Sequence, residues 1–144
     1  MIAIDIDPVK IQMARVNARI YGVEDRIEFI VGDSMTIIPK MVSADVIFLS
    51  PPWGGPDYVF TEEYNLKDDI PLDGFEIFNK CLEVTDNVAY FVPRQTNTDQ
   101  LISLAGEEGF VEIEQNVLNG RIKAITAYYG DLVITDTSYS TYYM

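Results

Sequence analysis

From Ser50 to Tyr58 the chain reads Ser-Pro-Pro-Trp-Gly-Gly-Pro-Asp-Tyr, directly after the apolar run Val46–Leu49. Two adjacent prolines fix the backbone and remove two N–H donors, so the carbonyl oxygens that follow a strand point in set directions. Trp53, the only tryptophan, stands next to them. A planar base can stack on its ring while a backbone carbonyl and the Ser50 side chain accept from the base's exocyclic amine. That arrangement suits methyl transfer to the amine: it holds the amine, orients its lone pair and lines it up with a sulfonium methyl. Proximity and in-line geometry can supply most of the acceleration, with no general base of matched pKa. Ser50, Pro51 and Trp53 are therefore the candidate catalytic residues. The alternative is a rigid turn around a core tryptophan.

Two acids also end short apolar runs. Asp5 closes Ile-Ala-Ile-Asp, where a carboxylate can accept from both hydroxyls of a ribose, a device of dinucleotide-binding folds. It can equally be a cap or loop acid. Asp33 follows Gly32, and there a carboxylate could accept from an adenine amine that the glycine lets approach. Gly-Asp is also an ordinary turn.

Composition narrows the chemistry. The chain has 144 residues, 48% of them hydrophobic, enough for one domain with a real core. It has no histidine, which excludes Ser-His-Asp and Cys-His mechanisms within the chain and argues against most zinc and iron sites. Cys81 is the single cysteine; it permits no internal disulfide, fits a reducing compartment and reads as a small apolar residue. The net charge of −13 repels nucleic acid at long range, so any such contact is short and local or depends on basic residues outside this chain. No apolar run reaches transmembrane length. Two aspartates within the first seven residues argue against a signal peptide.

The elements that must position these residues follow from the pattern. Ile2–Asp5 reads as a buried strand, and Asp7-Pro8 as an N-cap with proline at the first helical position. Val9–Gly22 has helical spacing and stops at the glycine. Arg26–Asp33 reads as a second strand and Met35–Met41 as a short helix broken at Pro39. Ala44–Ser50 reads as a third strand, apolar enough to be covered on both faces. A polar stretch, Thr61–Asp69, precedes a helix at Asp73–Thr85. A fourth strand spans Asn87–Pro93 and another helix Thr98–Gly109. The segment from Phe110 to Leu132 alternates, turns at Asn119-Gly120 and alternates again, a hairpin. The tail, 133–144, is expected to fray. There is no repeat, linker or second domain. The fold class is α/β: a doubly wound, Rossmann-like sheet with a C-terminal antiparallel hairpin. In such sheets ligands bind at the carboxyl ends of the strands, where Asp5, Asp33, Ser50–Trp53 and Pro93-Arg94 stand.

The runs SPPWGGPDY, IAIDIDPVKI, ADVIFLSPPW, DGFEIF, YFVPR, DQLISLAG and VEIEQNVLNGRIKAITAYYGDL closely resemble the catalytic domain of the trimethylguanosine synthase family. The resemblance runs from Ile2 to about Leu132, a methyltransferase domain at 1–132. Related amine methyltransferases usually carry Asn or Asp before the prolines and Tyr or Phe after them. The resemblance implies a class I methyltransferase using S-adenosyl-L-methionine. Its substrate would be the N2 amine of 7-methylguanosine caps on small nuclear and nucleolar RNAs, giving 2,2,7-trimethylguanosine. It implies that Asp5 binds the cofactor's ribose, Asp33 its adenine, and Ser50 and Pro51 lie beside the guanine N2, with Ser50 also a cofactor-binding residue. Trp53 would stack on the cationic methylated guanine, and Trp is the best aromatic face for a cation. Asn17, Tyr58 and Arg94 match positions that hold the cap's ribose and phosphates. Ribonucleoprotein partners and a nuclear site (nucleolus or Cajal body) or a cytoplasmic one follow in the same way, with no membrane and no DNA partner.

The chain departs from the family at its start. The family's first strand, with its acidic Gly-rich turn for the methionine end of the cofactor, is not seen, nor is its N-terminal helical extension. The expectation is a fragment, a short isoform or an incomplete gene model, with two strand edges left unpaired where the first strand would lie. Three rival readings stand beside the family: an amine methyltransferase acting on adenine N6 or on glutamine, an inactive truncated fold or binding module, and an NAD-binding Rossmann domain. The last lacks a Gly-x-Gly-x-x-Gly.

Overall fold

A computed structural model describes residues 1–134; most of the expected tail, 135–144, lies outside the described residues. The strands are β1 (Ile2–Asp5), β2 (Glu28–Val31), β3 (Ile47–Leu49), β4 (Val88–Pro93), β5 (Glu112–Leu118) and β6 (Arg121–Tyr128). The helices are α1 (Pro8–Ile20), α2 (Ser34–Ile37), α3 (Gly74–Leu82) and α4 (Thr98–Leu104). A 3-10 turn at Ile38–Lys40 contains Pro39, and another spans Pro56–Phe60. Strand and helix alternate and a hairpin follows, the expected α/β order. No described helix is long and apolar enough to cross a membrane.

The chain divides into two compact units, Met1–Val42 and the residues from Ser43 onward. In the first, β1 and β2 pair in parallel with Asp5 opposite Val31. The helix between them starts as its sequence dictates. Asp7 accepts from the Val9 N–H at 2.8 Å, and Pro8 occupies the first helical position, where its missing N–H is no loss. It ends where Gly22 takes φ 68°, a left-handed conformation that favours glycine. Ile11 and Ala18 are its buried residues.

In the second unit the strand order is β3-β4-β6-β5. β3 and β4 are parallel, with Leu49 opposite Tyr90; β6 runs antiparallel to both β4 and β5. The hairpin turn is Asn119-Gly120 with φ 53° and 70°, the left-handed pair that a two-residue hairpin turn demands. β4 is one of the two inner strands, and all its residues except Phe91 are buried. Phe78 and Cys81 of α3 and Leu101 of α4 complete the core around it.

Two expectations are corrected. The third strand has three strand residues rather than seven, and Phe48 is 66% exposed, so among the described residues it is not covered on both faces. Among the described residues β3 pairs only with β4 and β1 only with β2, which leaves each with an open edge. The stretch Thr61–Asp69, polar in sequence, supplies two core residues, Tyr64 and Leu66. Tyr64 is drawn in because its backbone bridges the end of β4: its N–H donates to the Gln95 carbonyl and its carbonyl accepts from the Asn97 N–H, both at 2.9 Å.

Candidate active site

Because β3 and β4 are parallel, the chain leaves both at the same edge of the sheet. Ser50–Phe60 follows one, Arg94–Asn97 the other. Pro51 is buried, whereas Ser50 is exposed and its hydroxyl has no hydrogen bond among the described residues. Gly54 and Gly55 take φ 81° and 99°, where any side chain would be strained. They fold the chain back so that the 3-10 turn brings Tyr58 to Trp53. The two rings meet edge to face, centroids 5.1 Å apart at 80°. On another side Trp53 meets Phe91 at 5.2 Å and 33°, and Phe91 in turn meets Phe48 at 6.1 Å. Each such pair adds about 0.5–1.5 kcal/mol beyond burial, so the indole is held in orientation. Trp53 is nonetheless only half-buried. Its Nε1–H is buried and has no partner among the described residues.

The expected substrate residues Tyr58 and Arg94 belong to this same edge. Arg94 is exposed; one guanidinium N–H donates to the Ile122 carbonyl at 3.3 Å, and the others have no protein partner among the described residues. Gln95, which the sequence reading missed, reaches across from its turn. Its Nε2 donates to the carbonyls of Tyr58 (3.3 Å) and Val59 (3.4 Å). A lone Gln after Pro-Arg carries no spacing signal, so nothing in the sequence marks it. Phe91 and Phe48 were also missed; their signal was an aromatic within each of the two strands that end at this edge.

The two acids stand in the first unit, at the carboxyl ends of its paired strands. Asp5 accepts from the Asp7 N–H at 2.8 Å, and Asp33 caps α2 by accepting from the Met35 N–H at 2.9 Å. The Gly32 N–H donates to the Asp5 carbonyl at 3.0 Å and ties the two strand ends together. Both acids therefore do the local work that any turn acid does. Each uses only Oδ1 for it; Oδ2 has no partner among the described residues, and a carboxylate has about four lone-pair sites. The two part-buried carboxylates thus fit a ligand rich in donors, such as a diol beside an aromatic amine. Asn17, also in this unit, is exposed on α1. The expected site residues accordingly fall into two sets: Asp5, Asp33 and Asn17 in the first unit, and Ser50, Pro51, Trp53, Tyr58 and Arg94 in the second. Among the described residues no His, Cys, Asp or Glu side chains gather as a metal site would need.

Comparison with known proteins bears on this geometry. The sequence profile of the RNA cap guanine-N2 methyltransferases matches residues 1–132. A trimethylguanosine synthase of Schizosaccharomyces pombe is 34% identical over 134 residues, covering 90% of this chain and 56% of that protein. One of Saccharomyces cerevisiae is 34% identical over 90 residues, covering 59% of this chain and 29% of that protein. The chain thus spans about half the length, or less, of these curated relatives. Among solved structures, a methyltransferase from Geobacter sulfurreducens superposes with TM-score 0.51 at 17% identity, over 89% of this chain and 56% of that one. An rRNA methylase from Streptococcus thermophilus gives 0.56 at 12% identity, over 89% and 70%. At those identities the likeness speaks to the fold, which is that of the Rossmann-like class I methyltransferases.

Proposed function

The chain belongs to the RNA cap guanine-N2 methyltransferase family, and on that premise we propose that it methylates the N2 amine of 7-methylguanosine caps, giving 2,2,7-trimethylguanosine. The observation that carries this reading is Trp53. A half-buried tryptophan whose ring is oriented by Tyr58 and Phe91, after the carboxyl end of a parallel strand, suits stacking on a flat cationic base. The methyl comes from S-adenosylmethionine, whose sulfonium supplies an electrophilic carbon. Asp5 would accept from its ribose hydroxyls and Asp33 from its adenine amine. Ser50 and the carbonyls beside Pro51 would accept from the guanine N2 and turn its lone pair outward. Arg94 suits a phosphate of the cap's bridge through the N–H groups that have no partner among the described residues, and Tyr58 another ribose or phosphate contact; by family resemblance alone Asn17 would add one more.

The natural substrates in this reading are capped small nuclear and nucleolar RNAs, met in the nucleus (nucleolus or Cajal body) or the cytoplasm, with ribonucleoprotein partners. The charge of −13 suits a protein that grips the cap and not the length of the RNA. The test uses the sole tryptophan as its own probe. Adding 7-methyl-GTP quenches Trp53 emission, and GTP at the same concentration does so far less. An equal response to both would sink the stacking reading.

A further inference from the structure

The backbone of Gln95 is fixed from two sides. Thr96 closes a turn onto the Pro93 carbonyl through its N–H (3.1 Å) and its hydroxyl (2.8 Å), and the Gln95 carbonyl accepts from Tyr64. From this anchored position the side chain reaches the Pro56–Phe60 turn and donates to two of its carbonyls, at Tyr58 and Val59. The other pole of the amide, Oε1, is buried with no partner among the described residues. A buried orphan acceptor is destabilising, and an apolar side chain of similar shape would remove that penalty. The two donated bonds are thus partly offset, and the net gain in stability is small. Beyond stability, they hold the two carbonyls of the turn that sets Tyr58 edge to face with Trp53.

We propose that Gln95 is a positioning residue: through Tyr58 it sets the orientation of Trp53 for stacking on the cap. This rests on the cap-binding reading of Trp53, and the test separates the two. Gln95→Glu keeps the shape but loses both donors and sets a carboxylate against two carbonyls. Gln95→Leu removes both poles of the amide. Trp53 emission is read first without ligand, by acrylamide quenching. Both variants are expected to leave Trp53 more accessible to acrylamide, and Gln95→Leu to melt close to the parent, because it loses two donated bonds and one orphan acceptor together. Next, 7-methyl-GTP affinity is expected to fall about tenfold in both, the scale of one lost hydrogen bond, with S-adenosylmethionine affinity unchanged. Should Gln95→Glu fail to fold, Gln95→Leu decides alone. Unchanged quenching in Gln95→Leu overturns the proposal. So does a lower melt with unchanged quenching and cap affinity, the mark of a purely structural residue. If the parent protein ignores 7-methyl-GTP, the cap reading fails, and ligand-free quenching still decides whether Gln95 positions the indole.

Discussion

At the scale of single residues, Trp53 and Arg94 make separable claims. Stacking of a cation on an aromatic face is worth about 0.5–1 kcal/mol when exposed and about 2 when desolvated. Trp53 is half-buried, so Trp53→Ala should weaken 7-methyl-GTP by about two- to thirtyfold by calorimetry, and Trp53→Phe by less. Arg94 already donates to Ile122. If its remaining donors take a phosphate, Arg94→Ala weakens 7-methyl-GTP far more than the bare 7-methylguanosine nucleoside; equal weakening of both would make it a strut of the hairpin. Asp5→Ala should weaken S-adenosylmethionine and spare the cap. What the sequence made legible at this scale was residue type. Asp5 and Asp33 turned out to serve their own turns through Oδ1, as such acids commonly do, with no partner for Oδ2 among the described residues. Gln95 was illegible because its role depends on a turn 36 residues away in sequence.

At the scale of elements, the start of α3 shows where local sequence suffices. Asp73 sits at φ 52°, which Asp tolerates, and accepts from the N–H groups of Phe75 and Glu76. Asp73→Ala should cost about 1 kcal/mol from the cap alone. Gly74 is needed for a different reason. A Cβ there would lie 2.6 Å from the Leu66 carbonyl oxygen and 2.7 Å from the Tyr90 hydroxyl, which itself donates to the Gly74 carbonyl. Neither atom can retreat without breaking a bond. Gly74→Ala should therefore lose about 1–3 kcal/mol, the usual range for overpacking, read as a lower urea midpoint with an unchanged slope. The helix start, the Asn119-Gly120 turn and the capped α1 were all readable, because each is decided within a few residues. The exposure of Phe48 and the burial of Tyr64 and Leu66 were not, since both follow from which strand pairs with which.

At the scale of the whole molecule, the titrating groups predict how stability depends on pH. With no histidine, the chain has no side chain whose ordinary pKa lies between pH 5 and 8. Its largest shifts lie at the alkaline end, in four groups for which burial is the leading cause. Burial pushes Tyr64 and Cys81 up to about 12 and raises Tyr90 and Tyr129 further. In the unfolded chain the thiol and phenols lose their protons near their ordinary values of 9.0 and 10.0. Between those values and the folded ones, the native state holds protons that the unfolded state has released. The stability they contribute is complete below about pH 9 and is lost as pH rises through 10 toward 12 and beyond, by up to about 1.4 kcal/mol per group for each pH unit. All four groups lie in the second unit, and so does Trp53, whose emission therefore follows the unit that titrates. Urea midpoints read by Trp53 emission should be flat from pH 6.5 to 8.5 and fall steeply above pH 10. Tyr129→Phe removes one of these protons together with the bond that Tyr129 donates to the Leu101 carbonyl at 2.9 Å. It should start from a lower midpoint at pH 8 and then fall less steeply. A midpoint that holds constant to pH 11 would mean that these phenols meet solvent in the folded state, and that the core around β4 is not closed.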